Sequence, residues 1–345
     1  MTRIFDGHND TLLRLEEHSL SFFERSVQGH LDYPRARDGG LVGGFFAIFV
    51  RDAERRRPEP VFHAEGYTTP HAEAIDGTYA RARTLELIEL LRDVERSGEG
   101  VFKVVADPSE LKRCLEQGVM AAVMHAEGAE LLGDDPEALH EFYALGLRSL
   151  GLVWSRPNAF GSGVPFNFPA GPDIGDGLSE RGRELVKQCN RLRVMIDLSH
   201  LNEKGFWDVQ KLSTAPLVAS HSNAHALCPT PRNLTDAQLE AIGESGGMVG
   251  VNFAVPFLRA DGLKNPDTLL ETVVRHFDYL IDKVGEEHVG FGSDFDGATI
   301  PYGIGDAAGL PRLVQAMRAH GFDDALLQKL GTDNWLRVLQ KTWAS

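Results

Sequence analysis

Short apolar runs recur along the 345-residue chain, and each breaks into polar residues before a stretch of helical periodicity begins. The first, Ile4-Phe5, passes at once into Asp6-Gly7-His8-Asn9-Asp10. A polar stretch from Glu16 to Gly40 is too irregular for one helix. Gly43 to Val50 is then apolar on both faces, as a strand inside a parallel sheet must be. Arg51 to Pro70, with Pro58, Pro60 and Pro70, reads as a charged loop. A long helix is predicted from His71 to Ser97, stopped by Gly98 and Gly100.

Val101 to Val105 is a further short strand. Asp107-Pro108-Ser109-Glu110 opens a helix, with Asp as the cap, Pro in the first turn and Glu three residues after the cap. A strand from Val119 to Met124 ends in His125-Ala126-Glu127-Gly128, and Asp135-Pro136-Glu137 starts the next helix. A strand from Arg148 to Val153 runs into a Gly- and Pro-rich loop from Trp154 to Asp176, and Ser179 caps a helix reaching Asn190.

The second half repeats the unit more cleanly. Val194 to Leu198 ends in Ser199-His200, and Pro216 to Ala219 ends in Ser220-His221-Ser222-Asn223. Thr235-Asp236-Ala237-Gln238 is a capping box. Gly247 to Val251 ends in Asn252-Phe253, with a helix from Pro266 to Val284 after it. Val289 to Gly292 ends in Ser293-Asp294-Phe295-Asp296-Gly297, and helices from Pro311 close the chain. About eight strand-then-helix units without a linker predict an α/β fold, a one-domain (β/α)8 TIM barrel over residues 1–345. A doubly wound open sheet is the second choice, but no Gly-x-Gly-x-x-Gly follows the first strand to support it.

The placement of ionisable residues changes the picture. His8 and Asp10, Glu127, His200, His221 and Asp294 all fall at the carboxyl ends of predicted strands, which meet at one mouth in a barrel. Each has a bland alternative: Asp10 as the cap of a helix from Thr11 to Leu15, His200 and His221 as turn or core residues, Glu127 in a helix start, Asp294 and Asp296 as turn formers before Gly297. Together they are expensive to explain as packing, because crowded ionisable groups need partners and cations supply them. Imidazole and carboxylate without cysteine point to Zn first, with Mn, Fe(II) or Co as alternatives. Three His, one Asp and one Glu suit two ions ~3.5–4 Å apart, with Glu127 as the bridge and Asp294 left free as acid and base. His125 could face the same mouth. Asp197 is set aside on strand parity and, with Ser199, assigned to an outer layer. His30, His63, His71, His140 and His225 read as surface or packing residues. Arg232, stiffened by Pro229-Thr230-Pro231, either binds a substrate carboxylate or makes an ion pair at the start of the following helix.

A formal net charge of -15 argues against nucleic acid and anionic membrane surfaces as partners. Cys114, Cys189 and Cys228 lie far apart with no Cys-x-x-Cys, which fits buried thiols in a reducing compartment. No signal-like leader precedes the first strand and no apolar run approaches membrane length, so a cytoplasmic protein without a membrane partner is expected.

Taken together, Asp6-Gly7-His8-Asn9-Asp10, Ala126-Glu127-Gly128, Asp197-Leu198-Ser199-His200, Ser220-His221-Ser222, Arg232-Asn233-Leu234 and Gly292-Ser293-Asp294-Phe295-Asp296-Gly297 resemble the membrane (renal) dipeptidase family, peptidase family M19. The resemblance covers nearly the whole chain in order. It implies a (β/α)8 barrel with two zinc ions that hydrolyses dipeptides, often with a D residue at the C-terminal position, through a hydroxide bridging the metals. Carried over, His8 and Asp10 hold one zinc, His200 and His221 the other, and Glu127 bridges. Asp294 shuttles the proton and Arg232 takes the substrate α-carboxylate. A homodimer is a family-level expectation. Two positions depart from better-known members: Trp154 stands where they have a carbonyl-polarising His, and Ala254 where they have a Tyr. Trp154 and Asn252 are placed with Arg232 in the substrate pocket. The competing readings are a binuclear amidohydrolase for N-acyl amino acids and a non-catalytic metal-binding barrel.

Overall fold

The computed structural model describes residues 1–54 and 59–344; Pro58, in the predicted charged loop, lies outside the described residues. In chain order the strands are β1 (Ile4–Asn9), β2 (Leu41–Phe49), β3 (Val61–His63), β4 (Gly66–Thr68), β5 (Phe102–Val105), β6 (Met120–Glu127), β7 (Ser149–Gly151), β8 (Met195–Asp197), β9 (Val218–Ala219), β10 (Met248–Val251) and β11 (Val289–Phe291). Parallel pairing runs β2-β1-β11-β10-β9-β8-β7-β6, and β2 pairs again with β6, which closes an eight-stranded barrel. The predicted TIM barrel is therefore the observed fold.

Three local expectations need correction. The run Val101 to Val105 forms β5, but β5 lies outside the ring: it pairs with the first half of β6, while β7 takes the second half of the same edge. The charged loop holds an antiparallel hairpin, β3–β4. The long helix runs Gly77–Ser97, because the Asp76 carboxylate accepts from Tyr79 N and caps it there, six residues later than predicted. Elsewhere local chemistry behaves as read: Asp107 accepts from Glu110 N, Ser179 from Gly182 N, and Thr235 and Gln238 form a capping box.

Two apolar layers fix which end of the barrel is open. Phe5, Phe45, Val123, Met195, Val218 and Met248 fill the lower interior with Trp335, which is fully buried and donates from its indole N–H to Phe291 O (3.0 Å). The C-terminal helix Asn334–Trp343 thus plugs the amino end of the strands. Higher up, β9 comes so close that a Cβ on Gly7, Gly250 or Gly292 would sit 2.0–2.3 Å from Ser220 O. Only glycine fits at those three positions, and they are what let the His221 strand end reach the axis. No described helix is long and apolar enough to cross a membrane.

Candidate metal centre

β1 begins with strict alternation and then breaks it. Phe5 and Gly7 face the barrel interior, yet His8, the next residue, faces it too, because the register of β1 on β2 shifts between Asp6 and Asn9. The bulge re-aims His8. Asp10 follows beyond the strand, and its carboxylate caps nothing, although it precedes the helix Thr11–His18. Its Oδ2 instead lies 3.4 Å from His8 Nε2. The pair meets as expected, by a bulge and a turn rather than by strand parity.

Glu127, at the end of β6, is the hub. Its Oε1 lies 3.0 Å from His200 Nε2, 3.6 Å from His221 Nε2 and 3.8 Å from His8 Nε2. His200 Nε2 and His221 Nε2 are 3.1 Å apart, and the His8 and His221 rings stack at 3.8 Å. Donors on one tetrahedral zinc, each at ~2.0–2.1 Å, stand about 3.3 Å from one another. The observed spacings have that scale. His8 Nε2 and Asp10 Oδ1 are buried and have no hydrogen-bond partner. The donor set fits divalent cations.

The electrostatics agree. Burial pushes Glu127 up to about 8, and for His8 the nearby Glu127 and Asp10 carboxylates outweigh burial and push it up to about 10. Left to themselves these groups would hold protons, which a divalent cation displaces. Burial, reinforced by Arg232 and His8, drives His200 and His221 well below the usual histidine value, so both are neutral. Each has a serine on its other nitrogen: Ser155 Oγ is 2.7 Å from His200 Nδ1, and Ser220 Oγ is 2.7 Å from His221 Nδ1. Ser220 in turn donates to Asp197 Oδ2 (2.5 Å). Nδ1–H donating to each hydroxyl leaves the Nε2 lone pairs free for the cluster.

Strand parity turns Asp197 away from His200, but the two do not belong to one continuous strand. Met195 lines the interior and so does Asp197, while His200 lies past the strand end in a left-handed conformation (φ 70°). Asp197 spends its oxygens on Ser199 N, Ser220 N and Ser220 Oγ, with His125 Nε2 3.5 Å away. His125 places its Nδ1 on Ser149 Oγ (2.9 Å). Sequence reading missed both serines, since a Ser beside a His carries no signal of its own.

Asp294 also adopts a left-handed conformation (φ 58°), which costs a non-glycine residue about 1–3 kcal/mol. It belongs to a group with His8 and Asp10 whose donor atoms lie within 4.8 Å of one another. Its Oδ2 accepts from Asn252 Nδ2 (3.0 Å), and burial raises its pKa from the ordinary aspartate value. Asn252 is fully buried; its amide also donates to His221 O, and its oxygen accepts from Ala254 N. Asp296, next but one, is side-chain buried and ties His30 and Thr11 to the same turn. Trp154 lies against His200, with ring centroids 5.8 Å apart.

Arg232 is 3% exposed and donates to His221 O (3.1 Å) and weakly to Ser222 Oγ (3.5 Å). Its Nε has no partner, and among the described residues no carboxylate pairs with it. The ion pair at the helix start does not form.

A closed barrel with imidazoles and carboxylates gathered at its carboxyl mouth defines the metal-dependent barrel enzymes, here of the metallo-dependent hydrolase type. Comparison with known proteins narrows the class. The family model "Membrane dipeptidase (Peptidase family M19)" matches residues 1–344. A metallo peptidase from Rhodobacter sphaeroides, crystallised with a phosphinate mimic of the dipeptide L-Ala-D-Ala, is 51% identical, with 99% of each chain covered and a TM-score of 0.93. The dipeptidase AC, a metallo peptidase of family M19, is 50% identical, with 100% of this chain and 99% of that one covered and a TM-score of 0.94. The dipeptidase tcpJ of Claviceps purpurea is 29% identical over 351 residues, 99% of this chain and 77% of that protein. This chain belongs to the membrane dipeptidase family, peptidase family M19, and is a metallo-dipeptidase-type hydrolase.

Proposed function

We propose that the chain hydrolyses the amide bond of a dipeptide, using two zinc ions held by His8 and Asp10, by His200 and His221, and by Glu127 between them. When bound, the ions supply Lewis acidity, bringing the pKa of water toward neutrality to give hydroxide and polarising the scissile carbonyl. Asp294 takes the proton released by the attacking water and returns it to the leaving amine. Asn252 positions Asp294 rather than contacting substrate, since its own donors and acceptor are already engaged. Arg232 receives the substrate carboxylate, and Trp154 lines the pocket beside His200.

One observation carries this reading. The acceptor-rich cluster and an unpaired, buried guanidinium share one mouth, joined through His221, whose ring faces Glu127 and whose carbonyl holds Arg232. The cluster calls for cations and the guanidinium for one small anion. A dipeptide satisfies the second with its α-carboxylate while its amide reaches the first. The ligand bound to the Rhodobacter relative supports extending the substrates to those with a D residue at the C-terminal position. The test is zinc content by elemental analysis, coupled to a screen of L-L and L-D dipeptides and N-acetyl amino acids with and without chelator. Chelator-sensitive dipeptide hydrolysis is expected; faster turnover of N-acetyl amino acids would move the assignment to a deacylase.

Two variants probe individual roles. Arg232→Ala should raise KM on the order of 10²-fold for substrates with a free carboxylate, the scale of losing a buried charge contact. An unchanged KM would remove Arg232 from the pocket. Ser220→Ala should weaken zinc binding by about 10–100-fold while the fold persists, because His221 loses the hydrogen bond that orients it. Competition against a chelator of known affinity measures this, and wild-type affinity would reduce Ser220 to a packing residue.

A further inference from the structure

Aromatic rings form a continuous arc from the metal ligands to Arg232. The Trp154 ring lies 5.8 Å from that of His200 and meets Phe49 at 5.0 Å and Phe166 at 5.6 Å. Phe166 stacks on Phe257 (6.0 Å, 12°), and Phe257 carries the Arg232 guanidinium 5.3 Å from its centre. Phe49, Trp154 and Phe166 are partly exposed, as wall residues of an open mouth must be and core residues are not. Among the described residues the arc meets one cation besides Arg232: Arg156, which is neutralised within the fold. It pairs with buried Glu130 (2.7 Å) and donates to Val50 O (2.8 Å), so it recruits no acidic ligand.

The backbone under Phe166 is held firmly. Tyr67 and Phe168 exchange main-chain hydrogen bonds (2.7 and 2.9 Å). Thr69 donates from Oγ1 to Phe166 O (2.5 Å) and from N to Asn167 Oδ1 (2.7 Å). His71 reaches Gly163 O (2.8 Å). The segment containing β3 and β4 therefore straps the loop, which is why the loop can present a ring at a defined place.

We infer that this arc is the recognition surface for the side chain of the C-terminal residue, and that it selects dipeptides whose second residue is apolar, aliphatic or aromatic. The inference rests on the dipeptidase reading. With the scissile carbonyl at the metal ligands and the carboxylate at Arg232, only the C-terminal residue spans the gap, a reach of ~3.3–3.6 Å. Its Cα must then lie along the arc. Apart from Arg232, which takes the carboxylate, the described wall offers ring faces, and its other cation, Arg156, is already paired with Glu130.

The experiment uses the zinc-loaded full chain and compares kcat/KM for L-Ala-X, with X as Gly, Ala, Leu, Phe, Asp and Lys in both stereochemical series. Leu and Phe should exceed Gly, Asp and Lys by at least ~10-fold, the discrimination that an apolar pocket provides. Phe166→Ala should erase that advantage, lowering kcat/KM for L-Ala-Leu and L-Ala-Phe far more than for L-Ala-Gly. Asp or Lys matching Leu in the wild-type protein would overturn the inference, and that measurement needs no variant. So would an equal loss for Gly and Leu in Phe166→Ala, which would make Phe166 structural. Cleavage of none of the dipeptides would instead bring down the underlying dipeptidase reading.

Discussion

Glu127→Gln is expected to fold, to lose metal and to lose activity with it. The argument is positional: one oxygen of Glu127 lies within 3.0–3.8 Å of the Nε2 atoms of His200, His221 and His8, which no other described carboxylate matches. An amide keeps the shape and removes the charge, and a neutral oxygen is a poor substitute between two cations. Positioning groups around a metal are worth about 10–100-fold in affinity, so a shared ligand should cost at least the upper end of that range. The fold should persist, because Gln relieves the burial that pushes the Glu127 carboxyl up to about 8. The readout is zinc per chain after gel filtration, alongside thermal unfolding. Metal at 1,000 times its Kd stabilises the native state by about 4 kcal/mol, so chelator should lower the wild-type Tm and barely move that of the variant. A fully loaded, active Glu127→Gln protein would contradict the bridge.

Asp294→Asn should behave in the opposite way: both metals retained and kcat reduced by on the order of 10²–10⁴, the usual value of a positioned general acid–base group. Asn is nearly isosteric and can still accept from Asn252, and it tolerates the left-handed conformation found at this position. What it cannot do is take a proton from water and return it to an amine. The acid limb of the kcat profile that Asp294 imposes should vanish with it. Because Asp294 also belongs to the group formed with His8 and Asp10, metal content must be measured on the same sample. Loss of one ion would make Asp294 a ligand and leave the proton-transfer role without an owner.

Much of this molecule was legible before folding. Apolar runs of strand length, helix caps such as Asp107 and the Thr235–Gln238 box, and acids and imidazoles at strand ends are short-range patterns, encoded within a few residues of where they act. They suffice for a barrel with its chemistry at one mouth. Features that depend on residues far apart left no such trace. The bulge that turns His8 inward exists because β1 must match β2, more than thirty residues on. Arg232 stands out in the sequence, but that its Nε stays without a partner, and that no helix-start ion pair forms among the described residues, is decided by loops the fold brings together. The arc from Trp154 to Phe257 joins two rings of one loop, Trp154 and Phe166, to Phe257 in the distant short helix Val255–Leu258, and each reads locally as an ordinary aromatic.

The amino-acid sequence by itself determined the repeated unit, the kind of metal donor and the strand ends that carry it, since periodicity and capping act over one turn or one pleat. Tertiary structure decided which side chains face the axis and which run of strand stays outside the ring. It also decided that Ser155, Ser220 and Asp197 orient the imidazoles while Asn252 holds Asp294. The physical reason is that closing the barrel imposes registers, left-handed turns and buried hydrogen bonds that no local preference supplies, and the packing of distant strands offsets their cost.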